Sequence, residues 1–126
     1  MTAEELRKVS GGVIGHFTPK EIAVDAAKLA VSANNIGLKV PANKFVYGAY
    51  IKNEANDLAS GGAATVKVTV GSTDVISATA LADLKGKGVA VLDASPDFAS
   101  AEREVKLTVA TAAYTAGKLI VGVIYG

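Results

Sequence analysis

The chain contains no cysteine and no tryptophan, and it has a single histidine, a single methionine and three prolines. Without cysteine there is no disulfide, no thiolate zinc site and no cysteine nucleophile. A lone imidazole, His16, leaves a His-based metal site or a hydrolytic triad without its other members. No nucleophile or orienting carboxylate stands near it at a useful spacing, so His16 reads as structural or incidental. An excess of one charge is missing as well: 13 basic and 12 acidic residues give a net charge of +1. Such a chain has no long-range field with which to gather nucleic acid or an anionic membrane. No apolar run approaches the ~20 residues that span a bilayer. The opening "MTAEELRKVS" is charged where a secretory signal is apolar, so synthesis in the cytoplasm is expected.

The remaining polar residues do not gather into a reaction centre. The carboxylates are scattered along the chain, and the pair Asp93 and Asp97 flanks Pro96 without the dense oxygen ligands of a calcium loop. "SGGVIGHFT" lacks the Lys-Ser/Thr ending of a phosphate loop, and "GKGVA" does not join a strand to a helix. Lys44, Lys52, Lys67, Lys85, Lys87 and Lys106 are dispersed, and the four tyrosines are not interleaved with arginine as a base-stacking surface requires. The sequence predicts no enzyme, no cofactor and no metal.

What the chain does have is β-forming material. Half of its 126 residues are apolar, enough for one domain to bury roughly two-thirds of its unfolded surface. Thirteen glycines with abundant Val, Ala and Thr suit short strands and turns. Thr2 to Val9 carry a weak helix signal, with Thr2 and Glu5 spaced as a capping box and Gly11-Gly12 ending it. "TPKEIAVDAAKLAVSANNIG" has helix-start residues Thr18, Pro19 and Glu21, and local propensity favours helix over Ile22 to Val31. From Leu38 the signals are β. Thr65 to Val70 and Glu104 to Val109 alternate polar with apolar, "VISATALADL" is a strand or meander, and "VAVLD" is a short apolar strand. "EANDLASGGA", "ASPDFASAE" and "TAAYTAG" read as loops. The expected fold is all-β, a β-sandwich or jelly roll of seven or eight antiparallel strands over residues 21–126, preceded by an N-terminal arm, residues 1–20.

Two segments break the rule that a sandwich strand keeps one wet face. Phe45 to Ile51 is apolar on both parities, with Phe45, Tyr47, Ala49 and Ile51 on one side and Val46, Gly48 and Tyr50 on the other. Leu119 to Tyr125, "LIVGVIY", does the same, and each segment holds a glycine in mid-strand, Gly48 and Gly122. Either the N-terminal segment covers the second faces, or they meet other copies of the chain in a symmetric homo-oligomer. The candidate subunit interface is Phe45, Val46, Tyr47, Gly48, Tyr50, Leu119, Ile120, Gly122, Ile124 and Tyr125.

The string "IGLKVPANKFVYGAYIKNE", then "GGAATVKVTVG", then the closing "LTVATAAYTAGKLIVGVIYG" resembles small virion proteins of tailed bacteriophages. The matching features are Val40-Pro41-Ala42 opening a strand, the strand Ala64 to Gly71, and Thr115-Ala116-Gly117-Lys118 leading to an apolar strand that ends at Tyr125. The resemblance covers about two-thirds of the chain. It implies a β-sandwich or jelly roll, a strand over Ile22 to Val31, and a homotrimer fixed to the outer capsid surface as a decoration, cement or head-fibre base protein. The implied partners are the chain itself and the major capsid protein, with no nucleic acid and no membrane, and the implied location is the virion. The loops Glu54–Gly62, Gly71–Asp74 and Asp93–Glu102, or the N-terminal arm, would touch the capsid. The alternative is a receptor- or glycan-binding module of a head or tail fibre, for which Tyr114 is the candidate exposed aromatic.

Overall fold

The structure, a computed structural model, describes residues 18–126. The helix expected over Thr2 to Val9, His16 and most of the expected arm lie outside the described residues. The elements in chain order are β1 (Thr18–Asp25), β2 (Ala33–Val40), β3 (Lys44–Lys52), β4 (Ala59–Ser60), β5 (Thr65–Val70), β6 (Thr73–Ala80), the one-turn helix α1 (Leu81–Leu84), β7 (Gly88–Ala99), β8 (Arg103–Ala110), β9 (Tyr114–Ala116) and β10 (Lys118–Tyr125).

Alternation does what it should where it is clean. In β5 the valines at 66, 68 and 70 are buried, and in β8 so are Val105, Leu107 and Val109, while Lys67, Lys106 and Thr108 lean towards solvent. A period-two strand can put its apolar set on one side only, so these strands must lie against a second layer. That layer exists. One sheet has the order β1-β10-β3-β7 and the other β2-β8-β5-β6, with β4 and β9 forming a small separate pair. The pairing is nested: β1 with β10, β2 with β8, β3 with β7, and β5 with β6, all antiparallel. One long hairpin, wrapped so that β10 also meets β3 and β8 also meets β5, produces this order. It is the jelly roll of the β-sandwich class. The core lies between the sheets, where Ile51, Leu107, Leu119, Val66, Val68 and Val121 are fully buried.

One open choice is decided and two local expectations change. Ile22 to Val31 is strand as far as Asp25, against its helix propensity, because β10 offers a partner from Thr18↔Tyr125 to Asp25↔Lys118. Tertiary pairing outweighs a propensity difference of a few tenths of a kcal/mol per residue. Asp25 then accepts a hydrogen bond from the Ala27 N–H at 3.2 Å and caps a short 3-10 turn, Ala26–Lys28. The stretch from Asp93 expected as a loop lies in β7 as far as Ala99. Between Leu92 and Asp97 that strand leaves the ladder, so that four residues stand opposite the single residue Tyr47 of β3. Proline is tolerated at 96 because β7 is an edge strand and this stretch is unpaired. Finally, the segments expected as loops around Ala59 and Tyr114 pair with each other as β4 and β9.

The long connections all collect at one end of the sandwich, and Asn53 fastens them. Its side chain is fully buried. Its Oδ1 accepts from the N–H groups of Asp57 (3.2 Å), Leu58 (3.3 Å) and Gly86 (3.2 Å). Its Nδ2 donates to Asp57 Oδ1 (2.7 Å) and to the Lys118 carbonyl (2.8 Å). One amide thereby ties the segment after β3, the turn before β7 and the start of β10. The hydrogen bond from Asn53 also holds the Asp57 carboxyl below the usual carboxylate range. A buried polar group is stable only when satisfied, and this one has every donor and acceptor used. Asn53→Ala should therefore cost about 3 kcal/mol in urea unfolding, since it strands several backbone groups at once. Asn53→Asp should cost at least as much at neutral pH, because it turns a donor into an acceptor beside Asp57 and the Lys118 carbonyl. A loss under about 0.5 kcal/mol for either variant would contradict this role.

Candidate assembly face on the outer side of the first sheet

The outer side of the β1-β10-β3-β7 sheet contains seven of the ten residues that the two-sided strands singled out. Register fixes which of them face outward. Ile120, Gly122 and Ile124 of β10 lie opposite Lys52, Tyr50 and Gly48 of β3, which lie opposite Gly88, Ala90 and Leu92 of β7. The facing of β3 differs from simple alternation because Tyr47 is an extra residue between Val46↔Tyr125 and Gly48↔Ile124. A bulge of this kind reverses parity along the rest of the strand. Val46 is thereby buried on the same side as Ala49 and Ile51, while Phe45, Gly48 and Tyr50 share the outer side. The ten predicted interface residues accordingly separate. Val46, Leu119 and Tyr125 are buried in the core between the sheets, and Phe45, Tyr47, Gly48, Tyr50, Ile120, Gly122 and Ile124 are not on that side.

The two glycines of this face are occupied by neighbours. A Cβ on Gly122 would fall 2.1 Å from Cζ of Tyr50, so the phenol ring lies directly across the glycine of β10. The Tyr50 hydroxyl then donates to the Glu21 carboxylate on β1. The side chain spans three strands and covers the middle of the sheet. Partial burial, the bond to Glu21 and the charge of that carboxylate push its pKa up to about 12. Next to it Lys52 stands 5.8 Å from the ring centre and pairs with Glu54 at 2.7 Å. On the other side of β3, a Cβ on Gly48 would lie 2.3 Å from the Val91 carbonyl oxygen and 3.1 Å from Leu92. Here it is the backbone of β7 that approaches, as glycine in a strand interior often signals.

Beyond Gly48 the large apolar side chains described on this face are exposed. Leu92 is 75% exposed, Phe98 49% and Phe45 42%. Among the described residues these are three of the four exposed large apolar side chains, Val31 being the fourth. The rings of Phe45 and Phe98, opposite each other on β3 and β7, are 5.0 Å apart, and Tyr47 lies 6.2 Å from Phe45. Leu92 and Phe98 were missed as site residues. The double-sided run "VAVL" carried a signal for the first, but Phe98 sat in a segment that reads as a loop.

Other candidates weaken. Tyr114, the aromatic proposed for a glycan groove, is only 2% exposed, its hydroxyl has no hydrogen-bond partner, and burial pushes its pKa up to about 12. A stacking surface needs an exposed ring, so this residue cannot supply one. A cavity of about 510 Å³ between the Leu58–Thr65 segment and α1 is lined mainly by alanine and glycine, without a convergent set of polar groups. Among the described residues no group of three His, Asp or Glu is placed to hold a metal, and no helix is long and apolar enough to cross a membrane.

Two solved phage capsid chains share this fold. A chain in the acidic stable capsid structure of Helicobacter pylori bacteriophage KHP30 superposes with a TM-score of 0.59 at 14% identity, over 86% of this chain and 86% of that one. A chain in the capsid of Ralstonia phage GP4 superposes with a TM-score of 0.57 at 20% identity, over 88% of this chain and 83% of that one. No protein-family profile and no curated protein matches the chain. Near-equal coverage on both sides means that the compared chains are of similar length to this one. The likeness is one of fold, and it runs through almost the whole jelly roll.

The glycine contacts predict an order of sensitivity. Gly48→Ala should lower the melting temperature more than Gly122→Ala, since a strand backbone cannot yield where a tyrosine ring can swing aside. Equal melting temperatures for the two variants would remove the distinction. A second expectation concerns alkali. In the unfolded chain Tyr50 and Tyr114 ionise near 10.0, whereas in the fold both do so at about 12. The fold therefore favours the neutral phenols, a contribution present below pH ~10 and lost as pH rises through ~12. Absorbance titration should show two late-ionising phenols, and Tyr50→Phe or Tyr114→Phe should each delete one. Two variants with unaltered titration curves would exclude this assignment.

Proposed function

We propose that this chain is a structural component of a bacteriophage virion, a decoration or cement protein that binds the outer capsid surface as a homotrimer and stabilises it. The observation that carries the reading is the end-to-end likeness of fold to chains of similar length in two phage capsids. The chemistry of the chain supports it from another side. The described residues leave a partly apolar sheet face outward, with Leu92, Phe98 and Phe45 exposed.

On this reading the protein works by binding alone. A molecule that binds the assembled shell and not its separated subunits stabilises the shell by mass action. Three chains held together make their weak capsid contacts jointly, and the gain in effective concentration multiplies the affinity of one. The trimer is joined through the outer side of the β1-β10-β3-β7 sheet, where Phe45 and Tyr47 lie, and docks on the major capsid protein by its loops.

The test is thermal. Capsids stripped of the protein should release their contents at a lower temperature than decorated capsids, and adding the purified protein back should restore the difference. Identical release temperatures, with no co-sedimentation of protein and capsid, would overturn the proposal.

A further inference from the structure

We infer that copies of the chain meet at the β7 side of the outer face, through the free edge Gly88–Leu92 and the adjoining Leu92, Phe45, Phe98 and Tyr47. The inference rests on the assembly reading above and assigns its contact. Two observations divide the face. Its β10 half is already covered from within, since Tyr50 lies over Gly122 with its hydroxyl on Glu21, and Ile120 and Ile124 are half-buried in a single copy. Among the described residues its β7 half has no such cover, and Leu92 is 75% exposed.

The edge itself points the same way. Exposed sheet edges in natural proteins are blunted by charge, proline or a bulge, because unpaired backbone groups recruit other strands. β1 contains Pro19, Lys20, Glu21 and Asp25. β2 shifts register between Asn35 and Leu38 and carries Lys39, and β6 is irregular against β5 and carries Asp74. The second half of β7 has its own excursion and Pro96. Gly88 to Leu92 has no charge, no proline and no break in register with β3.

Size selects the occupant. Leu92, Phe98 and Phe45 together expose about 300 Å² of apolar surface, a value at which patches on single proteins are often functional. That is less than half of the ~800 Å² per partner in a standard interface. The patch alone is too small for a tight heterologous complex. Rotational symmetry removes the difficulty, because an axis passing near Leu92 brings the same patch from each copy into one cluster and uses the adjacent edge as well. A second copy of this chain is the partner that needs no further complementary surface.

Sedimentation velocity from micromolar to near-millimolar protein tests the inference. The unaltered chain should form a discrete oligomer. Leu92→Glu should weaken self-association by about 100-fold or more, Phe98→Ser should weaken it less, and Ile124→Glu on the β10 half should leave it intact. Circular dichroism and melting curves confirm that each variant is folded, and Leu92→Ser replaces Leu92→Glu if the charge prevents folding. A chain that stays monomeric throughout, or an oligomer that Ile124→Glu dissociates and the Leu92 variants do not, overturns the inference. Capsid co-sedimentation is scored separately. A monomer that still binds and stabilises capsids would leave the decoration role standing while removing this contact.

Discussion

The structure depends on the insertion of the last strand between β1 and β3. β10 is hydrogen-bonded on both edges, to β1 from Lys118 to Tyr125 and to β3 from Ile120 to Tyr125, so the first described strand of the chain and the last are joined in one ladder. This closes the nested hairpin into two facing sheets. It also puts Leu119, Val121 and Val123 at the centre of the core, fully buried. Such pairing is of long range in sequence, and the loop entropy must be met before the contacts form. An uninterrupted apolar strand at the end of the chain is what makes that closure favourable.

The same central position explains why the outer side of β10 is also apolar. A strand flanked on both edges leaves its outer face accessible only from above, and here a side chain of the neighbouring strand lies over it. Gly122 leaves room for Tyr50, Tyr50 reaches Glu21 of β1, and three strands are fastened across the sheet by one aromatic side chain. Part of the apolar outer surface is therefore a matter of internal packing. The remainder, centred on Leu92 and the Phe45–Phe98 pair, has no cover within the described chain. Among the described residues the face is therefore sealed on one half and open on the other.

The two ends of the sandwich differ in construction. At one end the connections are short, and the turn between β5 and β6 spans two residues. At the other, the segments after β1, β3, β6 and β8 are longer and are organised by the β4–β9 pair and by Asn53. A loop cluster fixed by a fully satisfied buried amide is rigid at little cost in apolar burial. Rigid loops lose less entropy on any docking event than mobile ones.

The sequence by itself determined the class of the fold, the clean strands β5 and β8, and the two strands that are apolar on both parities. Each of these follows from local pattern, since side-chain direction in a strand has a period of two. Tertiary structure alone decided the rest. The bulge at Tyr47 reversed the facing of Val46 and Phe45, because register is set by the partner strand and leaves no mark in the alternation of one strand. The pairing of β1 with β10 turned a helix-prone segment into a strand, and an edge position let β7 continue past Pro96. The β4–β9 pair placed Tyr114 within the core. In each case the deciding contact came from residues far away in the chain, beyond the reach of any local pattern.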